Sequence, residues 1–90
     1  MLKDLEDLIQ TIRDRKNSSP NDSYTNKLLK DKNLSVSKVK EEINELIEAV
    51  EKNTNKIHES ADVIYHLLVY LEANDIKIED VMKELEKRKK

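Results

Sequence analysis

The chain of 90 residues contains no cysteine, no glycine, no tryptophan and no phenylalanine, and only one proline. Without cysteine there are no disulfides and no thiolate metal sites, which fits a reducing compartment. Without glycine no glycine-rich phosphate loop can form. Three tyrosines are the only aromatics, so the core must be aliphatic. An excess of one charge is missing too: 17 Lys and Arg stand against 19 Asp and Glu, a net charge of −2. That balance argues against a nucleic-acid binder held by phosphate contacts. Long apolar runs are absent; the stretch from Val63 to Leu71 is broken by His66 and is far too short to span a membrane. Lys3, Asp4, Glu6 and Asp7 break any secretory leader at the N-terminus. The expectation is a soluble cytoplasmic protein, residues 1–90 forming one domain. A chain this short buries only about 60–65% of the surface it exposes when unfolded, so its core is thin.

What the chain does have is helical periodicity. Its breaks are marked by Asn17–Asp22, Asp31–Asn33, Asn53–Asn55 and Asn74–Asp75, residue types that tolerate turns by bonding their own backbone. Between them, Leu2, Leu5, Leu8, Ile9 and Ile12 follow a three-four spacing. So do Val36, Val39, Ile43, Leu46, Ile47 and Val50, then Ile57, Ala61, Ile64, Leu68 and Leu71, then Ile78, Val81, Met82 and Leu85. No strand-like alternation occurs. The spacing predicts an all-α fold with four main helices at about 2–16, 36–52, 55–73 and 77–88, plus a short one at 24–30. Ser23 is the expected cap of the short helix and Ser35 of the one beginning near Val36. The basic end, Glu86 to Lys90, suits a solvated helix terminus.

Two acidic pairs stand at helical spacing. Glu42 and Glu45 lie three apart on one predicted helix, Glu59 and Asp62 three apart on the next, each pair about 5–6 Å across. Acids on a helix are commonly just solvated, and that reading stands for the first pair alone. The second pair sits on a helix whose apolar residues cover most of its circumference, so that it should be buried. Its main polar strip is Glu59, Asp62 and His66. Buried carboxylates must be protonated, paired with bases, or bound to a cation. If Glu42 and Glu45 face that strip, four carboxylates converge and repel, and one or more divalent cations relieve the repulsion. All-oxygen ligands select Mg²⁺ first and Mn²⁺ next. Because Mg²⁺ completes its shell with waters and substrate phosphates, the acidic pocket points to a phosphorylated substrate. His66 is open between a base, a ligand and a hydrogen-bonded packing residue; His58 is expected to be exposed.

With the acids placed, Glu41-Glu42-Ile43-Asn44-Glu45 followed by Glu59-Ser60-Ala61-Asp62 resembles the EExxE…ExxD signature of the all-α, MazG-like nucleotide pyrophosphohydrolases. Within them the chain is similar to phosphoribosyl-ATP pyrophosphohydrolases of histidine biosynthesis, through Ser23-Tyr24-Thr25, Leu28-Leu29, Lys38-Val39 and the run from Asp62 to Val69. Leu5, Ile12, Arg15 and Pro20, with Glu79, Asp80, Val81, Leu85 and Arg88, extend the likeness over nearly the whole chain. The resemblance implies a homodimer of bundled helices that hydrolyses 1-(5-phosphoribosyl)-ATP to its AMP form and pyrophosphate with Mg²⁺. It implies Glu42, Glu45, Glu59 and Asp62 as metal ligands and Glu41 as a ligand or water-orienting group, the five acids together forming the catalytic set. It makes Arg15, Lys27 and Lys38 candidates for meeting phosphates, with Ser23, Tyr24 and Thr25 shaping the pocket. The sequence departs from the family's usual pattern at Lys40 and near Asn74, where glycine is usual, and at Ile43, where a small residue is. At Asn74, asparagine can take a left-handed cap in glycine's place.

Two other readings are open at this stage. One is a MazG-like enzyme acting on ordinary or modified nucleoside triphosphates, which shares the acids. The other is a non-enzymatic helical interaction domain whose acids merely balance lysines.

Overall fold

A computed structural model describes residues 2–19 and 21–89; Pro20 lies outside them. The chain folds into five α-helices, with no strand among the described residues. They are α1 (Leu2–Asp14), α2 (Tyr24–Lys30), α3 (Lys32–Lys52), α4 (Lys56–Ala73) and α5 (Ile78–Lys87), with a 3₁₀ turn (Arg15–Asn17) extending α1.

The predicted short helix is found at its expected bounds, and Ser23 caps it by accepting from the Asn26 backbone N–H at 3.1 Å. The predicted start of α3 shifts. Asp31 accepts from the Leu34 N–H at 3.0 Å while its own N–H donates to the Lys27 carbonyl, so one residue closes α2 and opens α3. Aspartate is a strong N-cap, and the helix therefore begins four residues before Val36. Ser35, the expected cap, is instead buried inside the first turns.

Both long helices end in the same left-handed device. Asn53 (φ 56°) follows α3, with the Thr54 N–H donating to the Ala49 carbonyl and Asn53 to Val50. After α4 the residue with positive φ is Asp75 (φ 57°), not Asn74, which sits at φ −105°. Ile76 donates back to Leu71 and Asp75 to Glu72. This is the Schellman arrangement usually completed by glycine, and short polar side chains tolerate it better than other non-glycine types.

Helices α3 and α4 form a hairpin with the most extensive helix–helix contact, and α4 also packs against α1, α2 and, more sparsely, α5. The core is aliphatic: Ile12 from α1, Leu28 and Leu29 from α2, Leu68 and Val69 from α4, bordered by Leu8, Ile9, Leu34, Tyr65, Ala73 and Ile78. Arg13 binds both oxygens of Glu79, at 2.6 and 2.9 Å, and also meets Glu72, which pairs with Lys16. This ionic cluster joins α1, α4 and α5.

The expected burial of α4 is incomplete within one chain. Ile57, Ile64 and Leu67 on α4, and Ile43, Ile47 and Val50 on α3, are exposed. The Cα radius of gyration is 14.2 Å, against about 12 Å for a compact domain of this length. The hairpin is covered on one side only.

Candidate active site

The three-residue turn between α3 and α4 runs through two left-handed asparagines, Asn53 and Asn55. It folds the two acidic segments back on each other. Carboxylate oxygens of Glu42, Glu45 and Glu59 all lie within 4.8 Å of one another. Glu59 also belongs to a second such group, with Asp62 and His58. Four of the five predicted acids are thus brought together. Glu41 is turned outward and pairs with Lys38 at 3.1 Å.

Glu42 is only 8% exposed, and its Oε2 has no hydrogen-bond partner; the Oε2 of Glu59 is likewise enclosed and unpartnered. Burial first, and then the Glu45 carboxylate, push both Glu42 and Glu59 above the usual carboxylate range, with Asp62 adding to the push. His66 counteracts this at Glu42 and His58 at Glu59. Among the described residues no Lys or Arg forms an ion pair with Glu42, Glu45 or Glu59. Among the described residues the cluster is therefore not neutralised by ion pairs with lysines of its own. Enclosed oxygens without donors, in an all-oxygen set, fit a hard divalent cation.

The segment at the start of α2 stands against the same region. The Thr25 hydroxyl hydrogen-bonds the Tyr65 hydroxyl of α4, and the Tyr24 ring meets the His66 ring edge-on at a centroid distance of 6.2 Å. Burial lifts the Tyr24 phenol above its usual value; Lys38 pulls it down, while Tyr65, Glu42 and Glu41 add to the lift. Lys38, Glu41 and Glu42 are thus among the charged groups that act on Tyr24. Lys27 and Arg15 are exposed, on α2 and on the 3₁₀ turn. His66 resolves as a packing residue on one side: its Nδ1–H donates to the Asp62 carbonyl at 2.9 Å, while Nε2 is buried and unpartnered.

Two features escape sequence reasoning. Asn26, fully buried, donates to the carbonyls of Arg15 and Lys16 at 2.6 and 3.3 Å, anchoring the 3₁₀ turn to α2. Nothing in a lone asparagine signals that. His58 is exposed as expected, yet its Nε2 is 3.3 Å from Asp62 Oδ2; the four-residue spacing was the available signal.

Against known families, the model for phosphoribosyl-ATP pyrophosphohydrolase matches residues 5–89. The chain belongs to this family. A phosphoribosyl-ATP pyrophosphatase of Haloarcula marismortui is 41% identical over 90 residues, covering 94% of this chain and 92% of the relative. One from Clostridium acetobutylicum is 49% identical, covering 93% and 79%. In Pyrococcus furiosus the histidine biosynthesis bifunctional protein HisIE is 43% identical over all of this chain and 42% of its own length. Membership in a hydrolase family sets aside the reading as a non-enzymatic interaction domain. No helix among the described residues is long and apolar enough to cross a membrane.

Proposed function

We propose that this chain hydrolyses 1-(5-phosphoribosyl)-ATP to 1-(5-phosphoribosyl)-AMP and pyrophosphate, consuming one water, as the second step of histidine biosynthesis in the cytoplasm. Residues 1–90 act as one catalytic domain. The observation that carries the reading is the meeting of Glu42, Glu45 and Glu59, two of them with enclosed oxygens that no donor satisfies. Glu42, Glu45, Glu59 and Asp62 would hold Mg²⁺, or Mn²⁺ in its place. A bound ion of this kind supplies charge compensation for the polyphosphate and acidifies a coordinated water.

The chain's own groups do the positioning. Tyr24 and Thr25, fixed through His66 and Tyr65, wall one side of the acidic pocket, and Ser23 holds their helix start. Lys38, paired with Glu41 next to Glu42 in sequence, would offer a phosphate contact once it leaves Glu41, and Arg15 and Lys27 would add to the basic groups that meet phosphates. Glu41, on the outer side of the pocket, orients water or Lys38. The exposed apolar faces of α3 and α4 support a homodimer, because Ile43, Ile47, Val50, Ile57 and Ile64 otherwise leave a large contiguous apolar surface in water.

Pyrophosphate release from phosphoribosyl-ATP in the presence of Mg²⁺ tests the reading directly. Turnover with phosphoribosyl-ATP and none with a panel of deoxynucleoside triphosphates supports it. Turnover of the latter alone replaces it with a general MazG-like activity.

A further inference from the structure

In the proposed reaction His66 does no more than support Tyr24, yet it is only 8% exposed and the fold treats its two ring nitrogens differently. Nδ1 lies 2.9 Å from the Asp62 carbonyl oxygen. A carbonyl only accepts, so the ring hydrogen sits on Nδ1, and Nε2 of the neutral imidazole is left as a bare acceptor. That nitrogen is enclosed, and no donor among the described residues meets it. Its surroundings narrow what could donate. The rings of Tyr65 and Tyr24 stand edge-on to it, at centroid distances of 4.9 and 6.2 Å. Tyr24 is 48% exposed, so its side chain can turn aside without opening the core. Glu42 is near enough to feel the charge of His66, which puts the imidazole close to the carboxylates that would hold the metal and, through it, a polyphosphate. Ionised phosphate oxygens carry no hydrogen and would set lone pair against lone pair at Nε2. In a nucleotide the first donors beyond the phosphates are the ribose hydroxyls.

We infer that His66 Nε2 accepts a hydrogen bond from a hydroxyl of the ribose that carries the triphosphate, so that this histidine selects ribonucleotide over deoxyribonucleotide substrates. The inference rests on the nucleotide hydrolysis proposed above and specifies how that site chooses its sugar. A site that grips a hydroxyl through an enclosed acceptor rejects the analogue lacking it, because the acceptor is then shut away unpaired.

The test is a cycle that deletes the acceptor and the hydroxyl separately and together. The parent chain and His66→Phe, which keeps a flat ring without an acceptor, are assayed for kcat/KM on phosphoribosyl-ATP. Both are then assayed on its 2′-deoxy and 3′-deoxy forms, altered in the triphosphate-bearing ribose. The parent should lose at least about tenfold on one deoxy form. His66→Phe should be slower on phosphoribosyl-ATP and handle that deoxy form within about twofold of it. A purely structural role for His66 lowers all three substrates alike and leaves the preference in place. His66→Gln, which returns an acceptor, should recover part of the preference, and His66→Leu is a second acceptor-free replacement should His66→Phe fail to fold. A parent that hydrolyses both deoxy forms as well as the ribose form overturns the inference without any variant. So does a preference that persists in the acceptor-free variants, and either result leaves the hydrolase function standing. No pyrophosphate release from phosphoribosyl-ATP by the parent overturns that function, and this inference with it.

Discussion

At Glu42 the chain keeps a carboxylate almost wholly out of water, beside Glu45 and Glu59 and, among the described residues, with no Lys or Arg in an ion pair with it. Such a group destabilises the fold unless a cation arrives. Glu42→Gln removes the charge while nearly keeping the shape. In EDTA this variant should melt several degrees higher than the parent, since about 1 kcal/mol moves the midpoint by about 4–8 °C in a domain of this size. Its rise in Tm on adding Mg²⁺ should vanish, and pyrophosphate release should fall at least about a hundredfold, the scale of losing one transition-state contact. A variant that melts lower in EDTA, or still turns over, contradicts the assignment. The acids were legible in the sequence because three-residue spacing on one helix is local information, and the turn between the two helices is short. Asn26 and Arg13 were not legible. Their partners lie 10 to 66 residues away, and only the packing of separate helices brings them together.

Helices meet here through a few polar links whose strength can be measured. Tyr65 ties α4 to the start of α2 through the Thr25 hydroxyl. Tyr65→Phe deletes that bond and leaves Thr25 without it, so stability should drop by about 1 kcal/mol in denaturant melts. KM for phosphoribosyl-ATP should rise as Tyr24 and Thr25 lose their anchor. The clamp between α1 and α5 is pH-dependent. The Arg13 guanidinium, by its hydrogen bonds and charge, holds Glu79 down to about 2, below the value of about 4.3 expected in the unfolded chain. Its contribution is therefore present above the unfolded value and fades as pH falls through the folded one. Glu79→Gln should melt lower than the parent at pH 7, by a margin that narrows as pH drops from about 4 toward 2; a margin independent of pH refutes the clamp. Element positions followed from apolar spacing, and the short helix from its serine cap. The start of α3 did not, because Asp31 serves two helices at once and outcompetes Ser35. The left-handed position fell on Asp75 rather than Asn74 because Asn74 still bonds as part of the helix, its N–H donating to the Tyr70 carbonyl.

For the molecule as a whole, the uncovered faces of α3 and α4 and a radius of gyration of 14.2 Å are the grounds on which the homodimer is proposed. Analytical ultracentrifugation should return twice the 10.6 kDa of one chain. Ile64→Glu, placed in the exposed apolar face, should shift the species to monomer and lower Tm, whereas a monomeric parent removes the dimer outright. The hairpin has a further consequence in time rather than in energy. Its two helices are joined by only three residues, so the loop that must close to pair them is short and costs little entropy early in folding. The repelling acids would then be forced together near the beginning of the search, before the rest of the chain has closed over them. Refolding in stopped-flow should accordingly run faster with Mg²⁺ present than with chelator, and Glu42→Gln should abolish that acceleration.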